Sequence, residues 1–95
     1  MRELDEMALN DLIEVYELYV KEGLSTLVVK KAEQTYNEYL PGQSMLNKTI
    51  LSAVCSLFAV SYPTVKSGIS VPTKEEAKQI LEKLKMLQKE IKEQK

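Results

Sequence analysis

Apolar residues recur every third or fourth position over most of the chain. Between Leu4 and Glu22 they fall at Leu9, Leu12, Ile13, Tyr16 and Val20, with Val15 and Tyr19 widening the face. Glu3, Glu6, Asn10, Glu14, Glu17 and Lys21 form the opposite stripe. This period predicts an amphipathic helix. Acids in its first turn suit the positive end of the helix dipole. Gly23 can take the left-handed backbone that stops a helix. A second helix is predicted over Thr26 to Tyr39, capped by Ser25 or Thr26, with Leu27, Val28, Thr35, Tyr36 and Tyr39 on one face. Its start, Leu27-Val28-Val29, would also serve as a short strand. Its end is firmer, because Pro41 disfavours helix at Leu40 and Gly42 completes a turn.

The third segment, Met45 to Ser61 with Ser44 as a cap, is apolar nearly all round, the pattern of a central helix. Lys48, Ser52 and Ser56 form its one polar line, and small serines there would let another helix approach closely. Residues 63–72 hold two prolines and Ser67-Gly68, and predict an extended crossover with room for a brief strand. A long fourth helix is predicted from Thr73 to Glu93. Thr73-Lys74-Glu75-Glu76 fits a capping box, in which threonine and glutamate satisfy each other's free amides. Ala77, Ile80, Leu84, Leu87 and Ile91 then step by three and four as a two-heptad seam, with Leu81 beside it. Such a helix spans about 30 Å. Residues 86–95 are therefore expected to project or fray beyond the others, exposing Leu87 and Ile91. The fold class is all-α: an irregular four-helix bundle of three helices, an extended crossover and a long C-terminal helix, forming one domain over 1–95.

Charge changes the picture by its distribution. The net charge of -1 conceals -5 over residues 1–22, +2 over 23–72 and +2 over 73–95. In an up-down bundle the first and last helices are antiparallel neighbours, which sets the acidic helix beside a mildly basic one.

Composition narrows the chemistry. Ninety-five residues leave no room for two cores. With 44% hydrophobic and 28% charged residues, the chain is neither a disordered tail nor a collagen-like or disulfide scaffold. It has no histidine, which removes the usual general base and His-ligated zinc sites. One cysteine removes CxxC redox chemistry and all-Cys metal sites. Neither common phosphate-binding glycine loop occurs. The chain therefore reads as non-enzymatic, with no cofactor and no metal. A pI near 5.5 argues against a nucleic-acid binder held by bulk charge. The acidic start MRELDEM lacks the basic and apolar parts of a secretory signal, so a cytoplasmic location is expected. Thr49 to Val65 is uncharged, but its apolar part, Ile50 to Val60, makes only about 16 Å of helix. A buried helix is expected there, and membrane insertion is not.

Several features could carry function. The stripe Glu3, Glu6, Glu14, Glu17 is a solvated face or a recognition surface for a basic partner. Cys55, in the most apolar segment, reads as a buried and unreactive structural residue. Tyr16/Tyr19 and Tyr36/Tyr39 are two Tyr-x-x-Tyr pairs, either ring-in edges of the core or a binding rim. The PGQS turn resembles the punctuation of a helix-turn-helix, but the helix after it offers only Asn47 and Lys48 before turning apolar. The seam of the fourth helix is the sharpest interaction candidate.

The order formed by Pro41-Gly42, the apolar third helix and the capped fourth helix resembles the immunity proteins that protect producers of pediocin-like bacteriocins. That resemblance covers helix order over most of the chain and implies a cytosolic antiparallel four-helix bundle. The net acidic charge departs from that family's basic balance. The expected function is that of a small non-enzymatic intracellular protein binding a partner protein, or itself as a homodimer, through helices. Phages, plasmids and archaeal viruses encode such proteins. The candidate interface is Leu84, Leu87, Ile91, Tyr16, Tyr19, Glu14 and Glu17. A DNA-binding transcriptional regulator and a bacteriocin-immunity-like protein are the alternatives.

Overall fold

Local signals set most of the helix boundaries. The structure, a computed structural model, describes residues 3–61 and 71–94. Among these lie four α-helices and one 3-10 turn: α1 (Glu3–Glu22), α2 (Thr26–Tyr39), the turn Gln43–Met45, α3 (Lys48–Ser61) and α4 (Lys74–Gln94). Gly23 ends α1 with φ of 74°, in the left-handed region. The Ser25 hydroxyl then accepts the Val28 N–H at 3.1 Å and caps α2. The capping box of α4 forms as expected. Glu76 accepts the Thr73 N–H and Thr73 accepts the Glu76 N–H, each at 3.1 Å. The crossover and brief strand expected over 63–72 lie outside the described residues, except for Val71 and Pro72.

The start of α3 differs from expectation. It begins at Lys48, and its cap is Asn47, whose side-chain oxygen accepts the Thr49 N–H at 2.9 Å. Ser44 instead sits inside the 3-10 turn. The cause is tertiary. Leu46 is extended and buried in the core, and the Asn47 N–H donates to the buried Asp5 carboxylate of α1 at 2.9 Å. Those two anchors hold the chain out of helix until Lys48.

The helices associate chiefly as two pairs, α1 with α4 and α2 with α3. Paired positions along α1 and α4 run in opposite senses. Gln88 donates to Asn10, Lys85 faces Glu17, and the Tyr19 hydroxyl donates to the Pro72 carbonyl. The two helices are therefore antiparallel neighbours, as expected for the first and last helices of an up-down bundle. α1 supplies Ala8, Leu9, Leu12, Val15, Tyr16 and Tyr19 to the core. They meet Val28 and Tyr39 of α2, Ile50, Val54, Leu57 and Val60 of α3, and Ala77 and Leu84 of α4. Among the described residues, no buried side-chain polar atom lacks a hydrogen-bond partner.

α3 is not enclosed on all sides. It lies along α2 but meets α4 only sparsely, so Lys48, Thr49, Ser52 and Cys55 remain exposed. Its serines are accommodated within the helix. The Ser56 hydroxyl donates to the Ser52 carbonyl at 3.1 Å, and the buried Ser61 hydroxyl to the Leu57 carbonyl at 2.5 Å. The expected close approach of a helix along the serine line does not occur with α4. None of the described helices is long and apolar enough to cross a membrane.

Candidate protein interface

The seam of α4 divides between two environments. Ala77, Leu84 and Ile91 turn into the core with Leu81, whereas Ile80 and Leu87 are only half-buried. Ile91 is 7% exposed, on the α1 side of the bundle beside Leu9 and Gln88. The expected exposed end of the seam is thus occupied by this chain's own α1, at least to Ile91. Leu84 and Ile91 serve the core rather than an outside surface.

The tyrosines behave similarly. Tyr16 and Tyr19 are buried, and their hydroxyls are used internally. Tyr16 donates to the Ala53 carbonyl of α3 at 2.7 Å, and Tyr19 to the Pro72 carbonyl ahead of α4. In the second pair, Tyr39 donates to Asp11 of α1, and Tyr36 sits against Phe58 of α3 with ring centroids 5.6 Å apart. The two Tyr-x-x-Tyr pairs are therefore clasps between helices, not a binding rim. Burial holds the Tyr16 and Tyr19 phenols above their ordinary value near 10. The Tyr39 phenol is raised too, by burial first and then by its bond to Asp11.

Glu14 and Glu17 remain on the surface, as expected, but not as bare acids. Lys31 of α2 pairs with Glu14 at 2.7 Å, and Lys85 of α4 approaches Glu17 to 3.7 Å. The acidic stripe is thus flanked by cations from both neighbouring helices. Those cations weaken it as a surface for an external basic partner. No cluster of potential metal ligands occurs among the described residues.

Cys55 corrects another expectation. It is exposed, on the side of α3 that α4 leaves uncovered. Helix α3 after the PGQS turn presents Asn47, Lys48, Thr49 and Ser52 outward, with one base among them. That is little charge with which to hold a phosphate backbone.

What remains open is a cleft between α3 and α4. Its upper part, about 260 Å³, is lined by Lys48, Ser52 and Ala53 on one wall and by Ile80 and Lys83 on the other. It runs on through Thr49 and Lys83 to a second hollow of about 210 Å³ beside Met86, Leu87 and Glu90. Met86 is 65% exposed, the most exposed large apolar side chain among those described. A second groove, of about 530 Å³, crosses α1 and α2, lined by Leu18 and Leu27 together with Glu14 and Lys31.

Of the seven residues singled out from sequence, Leu87 alone borders the α3/α4 cleft. Periodicity places Ile80 in the seam and Lys48 on the polar line of α3, with no joint role. Met86 and Lys83 carried no periodic signal, because they lie off the apolar stripe. No family model, no curated protein and no solved structure matches the chain. The likeness to bacteriocin-immunity proteins thus rests on helix order.

Proposed function

We propose that this chain is a small non-enzymatic protein that acts by binding another protein, or a second copy of itself, through helix surfaces. One observation carries the reading. Ile80, Leu87 and Met86 keep apolar surface in water along the α3/α4 cleft although the core beneath is closed. Partly exposed apolar side chains gathered along a cleft between helices are the usual anchor sites for a partner helix. A cytoplasmic setting fits the free, exposed thiol of Cys55, which would oxidise or pair in a secretory compartment.

Photo-crosslinking in the cells that make the protein tests this. A photoreactive residue at Met86 should give a discrete adduct, whose second component mass spectrometry identifies. The same residue at the solvated position Glu33 should give none. A protein that sediments as a strict monomer, and that yields no adduct from Met86 or from Leu27 in the other groove, would overturn the reading.

A further inference from the structure

We propose that the α3/α4 cleft receives an amphipathic helix with an acidic flank, supplied by a different protein. This rests on the protein-binding reading above and names the partner's chemistry.

The charge around the cleft is unbalanced. Lys48 and Lys83 stand on its opposite walls, and neither has an ion-pair partner among the described residues. Two lysines that face α1 differ, since Lys31 and Lys85 are each set against a glutamate. The sequence explains the contrast. No Asp or Glu occurs between Glu38 and Glu75, so α3 has no acid with which to neutralise Lys48. Around Lys83, the positions three and four residues away are Gln79, Ile80, Met86 and Leu87, so its own helix offers no acid within reach. Glu76 lines neither hollow of the cleft; it closes the capping box with Thr73 and acts electrostatically on Tyr19 of α1. Glu90 stands at the far end of the cleft. A guest bearing carboxylates would therefore be drawn to the upper part and disfavoured near Glu90, which fixes its position along the cleft.

The apolar part of the cleft fits a helix. Ile80 and Leu87 are one heptad apart, about 10 Å along α4, and Ala53 opposite is small enough to admit an incoming side chain. Side chains of two helices form the walls. No strand edge occurs among the described residues to pair with an extended peptide.

A second copy of this chain fits poorly. Its acidic helix α1 has buried its apolar face in its own core, and Glu14 and Glu17 of that helix are already paired. The acidic helix of a second copy therefore has no continuous free apolar stripe to insert.

The test uses the full chain and designed probes. One is a hydrocarbon-stapled helical peptide with leucines at helical spacing and glutamates flanking them. Its counterpart carries lysines in place of the glutamates. The acidic probe should shift backbone amide resonances of residues 48–53 and 80–90. Lys48→Glu with Lys83→Glu should weaken it about tenfold or more, and should transfer preference to the lysine probe. Both lysines are exposed, so folding should persist, and circular dichroism checks this. Met86→Asp provides an independent variant and should also weaken binding. Equal binding of the two probes, no binding, or shifts confined to the groove beside Leu18 and Leu27 would overturn the proposal. So would a dimer in sedimentation that the lysine reversals dissolve, because the occupant would then be a second copy. Adducts from Leu27 but not from Met86 would sink this proposal and leave the protein-binding reading standing.

Discussion

The phenol of Tyr16 donates to the main-chain carbonyl of Ala53 at 2.7 Å, joining the middle of α1 to the middle of α3. The ring is fully buried, so Tyr16 contributes in two separable ways. Tyr16→Phe keeps the ring and deletes the donor. It should cost about 1 kcal/mol in urea unfolding, the usual net worth of one internal hydrogen bond. Tyr16→Ala removes the ring as well and should cost about 3–5 kcal/mol. Equal losses for the two variants would show that the hydroxyl, not ring burial, dominates.

Tyr16, Tyr19 and Tyr39 together predict an alkaline limit. Each phenol is held above its ordinary value near 10 in the folded chain. In the unfolded chain they ionise near pH 10, while the folded chain keeps its protons. Above that pH the unfolded state binds fewer protons, so stability falls as pH rises. Below it, the contribution is complete. The slope should reach about 1.4 kcal/mol per pH unit for each phenol still protonated in the fold. Urea midpoints between about pH 8 and pH 12 measure this. Tyr16→Phe should lessen the slope, and a midpoint that stays flat through that range would contradict the assignment.

The signals legible in the sequence were those completed within a few residues. Gly23, Ser25 and the Thr73–Glu76 box each act over a single turn, and each forms as read. The choice of Asn47 over Ser44 was not legible, because both residues cap well and a residue of α1 decides between them. The same holds for the seam. Leu84, Leu87 and Ile91 share one periodicity, yet α1 covers Ile91 and the sparse meeting of α3 with α4 leaves Leu87 half in water. Periodicity identifies the face that will be buried but not the neighbour that buries it. The α3/α4 cleft is therefore a tertiary property that neither helix carries alone.

Asp5 supplies the contact that places α3, so its substitution should be costly for a residue near the start of a helix. Asp5→Ala leaves the Asn47 N–H without its acceptor in a part-buried setting and should lose about 1–3 kcal/mol. Asp5→Asn retains an oxygen acceptor and should lose less. Thermal unfolding of the two variants distinguishes them. Equal tolerance of both would mean that water replaces the carboxylate at Asn47.

The two ion pairs on α1 should contribute little by comparison. Their side chains are largely solvated, with Glu17 and Lys85 each more than half exposed. Lys85→Ala should alter stability by less than about 1 kcal/mol, and added salt should have a small effect. Leu84→Ala, at a fully buried position on the same helix, should cost about 2–5 kcal/mol. Chemical denaturation of both variants measures the contrast. A Lys85 variant as damaged as the Leu84 variant would mean that α1 and α4 are joined by charge rather than by packing.

Cys55 tests the open side of α3 most directly. An apolar helix enclosed by its neighbours would shield the thiol, and alkylation would then wait for unfolding. The exposed position on α3 predicts the opposite. Maleimide should label the native protein fully, at a rate within about tenfold of that in denaturant, since accessible thiols react without unfolding. Destabilising the fold by Leu84→Ala should then change the labelling rate little. Labelling that accelerates in proportion to the unfolded fraction would place Cys55 inside the bundle and overturn its exposed position on α3.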